Sequence, residues 1–250
     1  MNNLIRAELL KLRTVRMFYW YALSAVAFVP LTIASAISNA DSLGGTARLD
    51  SAEGIRNVMA AASSVTVIML MLGIMVMAGE FRHNTATSTF LITPDRKRVV
   101  GAKLATVAIV AVGVAIVSSA VTLAVGLPWL AAKGVSVNVF SSDVWLVLLA
   151  AIVATVLNAL GGVGIGTLIR NQTTALSVTL VWVLVVDGLL VSFAPAVGKW
   201  LPGGAASALT SVATTHGGLL PMWAGGLLFA AYGLAFAAAG VRFTMSRDIT

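Results

Sequence analysis

Long apolar runs alternate with short polar segments along the chain, and this pattern predicts six membrane-spanning helices. A helix needs about 20 predominantly apolar residues to cross the hydrocarbon core of a bilayer. The runs that reach this length lie at about residues 17–38, 58–79, 104–127, 144–169, 174–195 and 221–241. We therefore expect an all-α polytopic membrane protein. Residues 1–250 should form a single transmembrane domain, because no polar stretch reaches the size of a soluble domain.

An amphipathic helix is predicted before the first span, over residues 1–16. Its apolar face repeats at helical spacing and consists of Met1, Ile5, Leu9 and Leu12. Another face carries the polar and basic residues Asn2, Arg6 and Arg13. Such a helix lies at the interface, in the headgroup layer of the membrane, and it would also anchor the topology of the chain. On this helix Glu8 can pair with Lys11 at i, i+3.

Prolines predict where several spans bend or end. Pro30 lies inside the first span and should kink it, whereas Pro128 should end the third span and Pro195 should break the fifth. Residues 196–220 remain apolar between scattered glycines and polar residues. This pattern predicts two short re-entrant helices that dip into the outer leaflet before the last span.

The charged residues are few and unevenly placed. Only 10% of the chain is charged, against about 25% in soluble domains. Twelve of the sixteen Lys and Arg residues fall at the N-terminus, in the segment after the second span, in the turn after the fourth span and in the C-terminal tail. By the positive-inside rule these segments face the cytoplasm, so both termini of this multi-pass cell-membrane protein are expected there. The net charge of +7 then reflects orientation and anionic lipid headgroups rather than nucleic acid.

The longest polar interruption, residues 79–105, is the predicted cytoplasmic loop between the second and third spans. It carries five of the sixteen Lys and Arg residues. Thr85 can cap a short helix that runs through Phe90 and Leu91 and is terminated by Pro94. Such a helix would lie across the membrane normal and offer its apolar residues to a soluble partner. An ordinary charged loop that only fixes topology is the alternative.

This loop resembles the first cytoplasmic loop of the integral-membrane subunits (permeases) of export-type, or type 2, ABC transporters. In that family a Gly-Glu pair closes the second span, and a basic, Thr-rich segment follows. A Pro with a basic residue two positions on comes next, and then a Lys that opens the third span. The corresponding residues here are Gly79, Glu80, Phe81, Arg82, His83, Asn84, Thr85, Pro94, Arg96 and Lys103. The N-terminal residues 7–14 are also similar. Asn84 stands where many relatives have Gly, and Asn tolerates a left-handed backbone better than most residues.

The resemblance implies a site and a set of partners. The helix that carries Phe90 and Leu91 would be the coupling helix, seated in a groove on a separate ATPase subunit. The implied ATPase-coupling residues are Glu80, Arg82, His83, Thr85, Thr87, Phe90, Leu91, Pro94 and Arg96. ATP and Mg would bind to that ATPase and not to this chain. A second permease copy, identical or related, would complete an exporter of an amphiphilic substrate such as a drug, antibiotic, peptide or lipid.

Four residues inside the predicted spans are candidates for special roles. Asp187 is the one acidic residue well inside a span, and a central Asp costs about 2.5–3.5 kcal/mol to insert, so it should face protein or water. It could relay protons, contact a cationic substrate or pack between helices. Asn158 could hydrogen-bond between helices, and Gly162 with Gly166 forms a small-xxx-small face that lets another backbone approach closely.

Catalytic chemistry in this chain is not expected. There is no cysteine, and the glycine run at 161–166 lacks the Lys-Ser or Lys-Thr of a phosphate-binding loop. His216 has no second His or clustered carboxylate beside it for a metal site. The chain is therefore predicted to be no enzyme and to hold no cofactor or metal. Two other classes stay open, a secondary transporter and a non-transporting membrane scaffold or sensor subunit.

Overall fold

The structure, a computed structural model, describes residues 2–14, 16–40, 47–82, 96–169, 171–210 and 220–246. Within these ranges the chain is helical and forms no strand. The helices that are long and apolar enough to cross a membrane cover Phe18–Asn39, Ala52–Glu80, Arg98–Ala132, Ser142–Leu168, Gln172–Phe193 and Met222–Gly240. The predicted all-α fold with six spans is therefore confirmed.

Regular helices make up most of each span. In chain order they are α1 (Asn2–Thr14), α2 (Arg16–Asn39), α3 (Ala52–Met59), α4 (Thr66–Arg82), α5 (Arg96–Ala132), α6 (Ser142–Leu168), α7 (Gln172–Val181), α8 (Asp187–Phe193), α9 (Pro195–Gly198), α10 (Pro202–Thr210) and α11 (Met222–Ser246). A 3₁₀ segment, Ala60–Val65, joins α3 to α4 in the second span. A π-helical segment, Trp182–Val186, joins α7 to α8 in the fifth span. The short helices α9 and α10 occupy the stretch for which two half-helices are predicted.

The second and fourth spans form the centre of the bundle. They are the most buried of the six, whereas the fifth span is the least buried. A Cβ added at Gly162 would overlap the backbone of Leu70, and one added at Gly166 would lie 2.7 Å from the carbonyl oxygen of Ile74. Because neither residue has a side chain, the backbones of α4 and α6 touch, as in other helix pairs that pack through small residues.

The second span begins earlier than residue 58, where the hydrophobic run predicts it. The helix starts at Ala52, directly after Ser51, whose hydroxyl accepts a hydrogen bond of 3.0 Å from the backbone N–H of Gly54. A serine in this position satisfies one of the free N–H groups of the first turn. Glu53 in that turn faces the positive end of the helix dipole. The cap, and not the start of the apolar run, therefore sets the boundary.

The third span does not end at Pro128, and that prediction is wrong. Pro128 lies inside α5, which continues to Ala132. A proline removes only its own N–H bond, so a helix that is otherwise packed can pass through it with a kink. The chain leaves the helix at Gly134, whose φ of +79° is the left-handed conformation that favours glycine after a helix.

Proline does end the fifth span as predicted. Ala194, the residue before Pro195, has left the helical conformation, and Pro195 opens the short helix α9. A residue before proline is disfavoured in the helical region because its backbone clashes with the pyrrolidine ring. The fifth span therefore turns back on itself at this point and leads into α10.

Candidate functional site

Four charged side chains from α1, α4 and α5 meet at the end of the bundle where these helices converge. The Lys103 ammonium lies 2.7 Å from Glu8 Oε2 and 2.7 Å from Glu80 Oε1. The Lys11 ammonium lies 2.7 Å from Glu8 Oε1 and 3.3 Å from Glu80 Oε1. Two positive and two negative groups thus form one network, which we call the Lys103 cluster.

Three members of the Lys103 cluster are largely buried, whereas Lys11 is half exposed. Glu8 is buried because it lies on the apolar face of α1. Glu8 shares that face with Leu9 and Leu12, and the face packs against α5. Lys103 is 1% exposed and Glu8 is 8% exposed. A charge taken out of water at such depth is tolerated only when it is paired and hydrogen-bonded. Each member of the cluster therefore depends on the others.

The two pKa shifts in the cluster agree with this pairing. Burial by itself would raise the pKa of Glu8, but the ammonium groups of Lys103 and Lys11 outweigh it and hold the pKa below its ordinary value of 4.5. Burial would lower the pKa of Lys11, whereas hydrogen bonds and attraction from Glu8 and Glu80 raise it above 10.5. Both groups are therefore ionised at neutral pH.

Two members of the Lys103 cluster, Glu80 and Lys103, flank the predicted coupling segment along the chain. Glu80 is near the end of α4, where Arg82 is the last residue and is exposed. Arg96 is the first residue of α5, and Lys103 follows in the same helix. The other predicted coupling residues lie outside the described part of the chain, and they are His83, Thr85, Thr87, Phe90, Leu91 and Pro94.

Sequence reasoning found one pair of this cluster and missed the rest. The Glu8–Lys11 contact at i, i+3 is present as expected. Its junction with Glu80 and Lys103 was not predicted. The available signal was that Glu8 falls on the apolar face of its helix and Lys103 falls in an apolar stretch. Both groups needed a partner of opposite charge.

A second buried charge, Asp187, lies in the fifth span at the opposite end of the bundle. It is 4% exposed. Its carboxylate lies against the backbone of Gly203, in the first turn of α10. One carboxylate oxygen, Oδ1, is buried and has no hydrogen-bond partner among the described residues. Asp187 thus faces protein.

Among the described residues, Asn158 does not form the expected interhelical hydrogen bond. Its side-chain amide donates instead to the carbonyl of Ala154, one turn back in the same helix, at 3.1 Å. A short polar side chain on a helix always has the carbonyl four residues earlier within reach, so it satisfies itself locally. Asn158 therefore does not join α6 to a neighbour.

The described residues contain no group of three or more His, Asp or Glu side chains that could hold a metal ion. The arrangement of Glu8, Lys11, Glu80 and Lys103 is one of compensated charges, with each carboxylate held by both ammonium groups. Such a network fixes the relative positions of three helices. Its chemistry suits a mechanical joint.

A sequence model of the family described as "ABC-2 family transporter protein" matches residues 4–188. The match covers about three quarters of the chain and includes the first four spans and most of the fifth. All four members of the Lys103 cluster, and Asp187, lie within it. No curated protein matches the chain.

Proposed function

Because the chain belongs to the ABC-2 family of transporter proteins, we propose that it is the permease subunit of an exporter driven by a separate ATPase. The observation that carries this proposal is the Lys103 cluster. It ties the end of the second span, the start of the third span and the interfacial helix α1 into one unit, and segment 83–95, which basic residues flank, leaves from and returns to that unit. A force applied to the segment would act on all three helices together.

The joint is stiff for an energetic reason. Breaking a buried ion pair by separating its partners costs about 3–5 kcal/mol, because each charge is left without compensation. Lys103 is fully buried and bonds to carboxylates from two other helices. A partner that displaces segment 83–95 would therefore move α1 and the second and third spans as a body.

The partner in this proposal is a soluble P-loop ATPase that binds ATP and Mg. Phe90 and Leu91 would dock into its groove. Thr85, Thr87 and Pro94 would shape the coupling helix, with Arg82, His83 and Arg96 beside it. The bias of Lys and Arg supports placing this segment, and both termini, on the cytoplasmic side. ATP binding and hydrolysis would then be converted into motion of the spans.

The transport cycle we propose is alternating access by two permease copies around a central path. The first, fifth and sixth spans are the least buried within the chain, so their apolar faces are available to lipid and to a second copy. Charged groups are scarce inside the spans. An amphiphilic substrate, such as a drug, antibiotic, peptide or lipid, suits such an interior better than a strongly charged one.

The coupling residues are tested by capture of the ATPase from native membranes. The tagged chain is purified in mild detergent as wild type, Phe90→Asp and Leu91→Asp, and the bound P-loop ATPase is quantified. A charge placed in an apolar docking contact should reduce capture by about tenfold or more, since one unpaired charge at such a contact costs several kcal/mol.

Phe140→Asp is the matched control. Phe140 is 89% exposed in the loop between α5 and α6, at the other end of the bundle. This variant should insert into the membrane and capture the ATPase like the wild type. Undiminished capture by both Phe90→Asp and Leu91→Asp would refute the coupling role of this segment.

A further inference from the structure

Asp187 is the buried exception in the second half of the fifth span, residues 180–193. Its neighbours Leu184 and Leu189 are 65% and 50% exposed, whereas Asp187 is 4% exposed. The fifth span as a whole is the least buried of the six. The first half of the span is buried at Gln172, Ala175 and Thr179, but over residues 180–193 the protein covers one position, and that position carries the only acidic residue of the span.

The π-helical segment Trp182–Val186 determines which way Asp187 points. The backbone N–H of Asp187 bonds to the carbonyl of Trp182, five residues earlier, which marks the widened turn. One extra residue in a turn rotates the helix that follows by about 100°. Asp187 comes directly after this shift and faces α10, while the residues within the segment are not buried.

The contact on the other side is the N-terminus of α10. The Asp187 carboxylate lies directly against the backbone of Gly203, and an anion at this end of a helix interacts favourably with the helix dipole. A Cβ added at Gly203 would overlap the Asp187 carboxylate, whose three atoms are its nearest neighbours. Glycine at this position is therefore what allows the carboxylate to reach the backbone.

Through α10 the contact extends to two more spans. Ala205 and Leu209 of α10 are buried in one apolar cluster with Ala150 and Ala154 of the fourth span and Phe229 of the sixth span. The Tyr232 hydroxyl of the sixth span donates a hydrogen bond of 2.9 Å to the carbonyl of Trp200, just before α10. The contact between Asp187 and Gly203 thus joins the fifth span to the fourth and sixth.

We propose that Asp187 is a latch residue, whose carboxylate holds the N-terminus of α10 against the fifth span and keeps that end of the permease closed until the spans move. The buried Oδ1, which has no hydrogen-bond partner within the described part of the chain, favours release, because it gains hydrogen bonds to water once α10 lifts away. The timing of release rests on the proposed transport function. The contact itself does not.

The latch is tested by cysteine labelling, since the natural chain has no cysteine. Ala208→Cys places a thiol on the buried side of α10, where Ala208 is 3% exposed. Ala132→Cys places one at the exposed end of α5 as the control. The full chain is reconstituted in lipid nanodiscs, where both faces are accessible, and reacted with a hydrophilic maleimide.

Asp187→Ala should accelerate labelling of the Ala208→Cys thiol by about 10- to 100-fold, the range expected for loss of one contact between a charged group and the backbone. Asp187→Asn should restore slow labelling, because Asn accepts from a helix N-terminus as well as Asp does. The Ala132→Cys control should react equally in every background. An unchanged rate in Asp187→Ala would overturn the latch.

Gly203→Ala separates the latch from general loosening of the fold. It should accelerate labelling when Asp187 is present, because its Cβ overlaps the carboxylate, and it should add nothing in the Asp187→Ala background. Equal acceleration in both backgrounds would contradict the proposed contact.

The final arm uses the complex with the captured ATPase. A non-hydrolysable ATP analogue should raise labelling of the Ala208→Cys thiol if the latch opens in the transport cycle. No change with the analogue, together with a clear effect of Asp187→Ala, would make Asp187 a static brace and overturn the latch. Failure to capture any ATPase would instead refute the proposed function and leave the labelling results in the isolated chain standing.

Discussion

Lys103 shows how a single buried charge can organise a membrane protein. Its ammonium group is 1% exposed and bonds to carboxylates of two other helices. In sequence it looks like one more basic residue of a cytoplasmic loop. Its partner Glu8 lies 95 residues away, so no local pattern could reveal the contact. What sequence could show was that Glu8 breaks an apolar face and needs compensation.

Lys103→Met should destabilise the protein by about 3–5 kcal/mol, because it removes the buried cation of Glu8 and Glu80 and leaves only the half-exposed Lys11 beside them. Thermal unfolding in detergent, followed by circular dichroism, measures the effect. Lys133→Met is the matched control, since Lys133 is exposed at the end of α5 and should change stability by less than about 0.5 kcal/mol. Equal effects of the two substitutions would contradict the role of the cluster.

The lowered pKa of Glu8 predicts how the stability of the protein depends on pH. Its pKa is lower in the folded protein than the ordinary value of 4.5. The stability that its ionised form contributes is complete above that ordinary value and is lost as the pH falls through the lowered pKa. The melting temperature should therefore drop below about pH 4.5, and drop less steeply in Glu8→Gln, which cannot titrate. An equal fall of the melting temperature at acid pH in the wild type and in Glu8→Gln would show that ionised Glu8 does not contribute to stability.

At the scale of elements, packing of the second span against the fourth is the central contact. It works through Gly162 and Gly166, which let the backbone of α4 touch that of α6. The second span also contains the 3₁₀ segment Ala60–Val65, which the third span supports through a 2.8 Å hydrogen bond from the Ser118 hydroxyl to the Ala62 carbonyl. Glycine spacing indicated the first feature. Nothing in the sequence indicated the second.

Gly162→Ala should destabilise the bundle by about 1–3 kcal/mol, the usual cost of forcing extra atoms into a packed core. The added Cβ would overlap the Leu70 carbonyl, which belongs to the backbone and cannot simply rotate away. The adjacent Gly161→Ala is the control, because a Cβ there meets nothing within 4 Å and improves helix propensity by up to about 1 kcal/mol. A loss of melting temperature in Gly161→Ala as large as in Gly162→Ala would refute this packing.

The helix boundaries show which sequence signals dominate. Hydrophobic length predicted six spans correctly because the cost of exposing a backbone to lipid leaves few alternatives. Hydrophobic length placed the start of the second span too late, because the helix begins directly after its cap, Ser51, which precedes the apolar run. Proline was an inconsistent signal, because Pro195 ends the fifth span but the third span continues past Pro128 until the chain leaves the helix at Gly134. Capping residues set ends more directly than hydrophobicity or proline does.

At the scale of the whole molecule, two charged contacts stand at opposite ends of one helical bundle. The Lys103 cluster joins α1 to the second and third spans, and Asp187 joins the fifth span to α10. The second and fourth spans, packed backbone to backbone, lie between them. The proposed permease, which receives motion at one end and opens at the other, would use the first contact as a rigid joint and the second as a releasable one, with a common core between them.

The central claim is that this chain is the permease of a transporter driven by a separate ATPase. The most direct measurement is purification of the tagged wild-type chain from its native membrane in mild detergent, with the bound proteins identified and their ATP hydrolysis assayed. Our account predicts a stoichiometric P-loop ATPase whose hydrolysis is retained in the purified complex. A chain that purifies without any ATPase, while remaining folded and membrane-inserted, would contradict it.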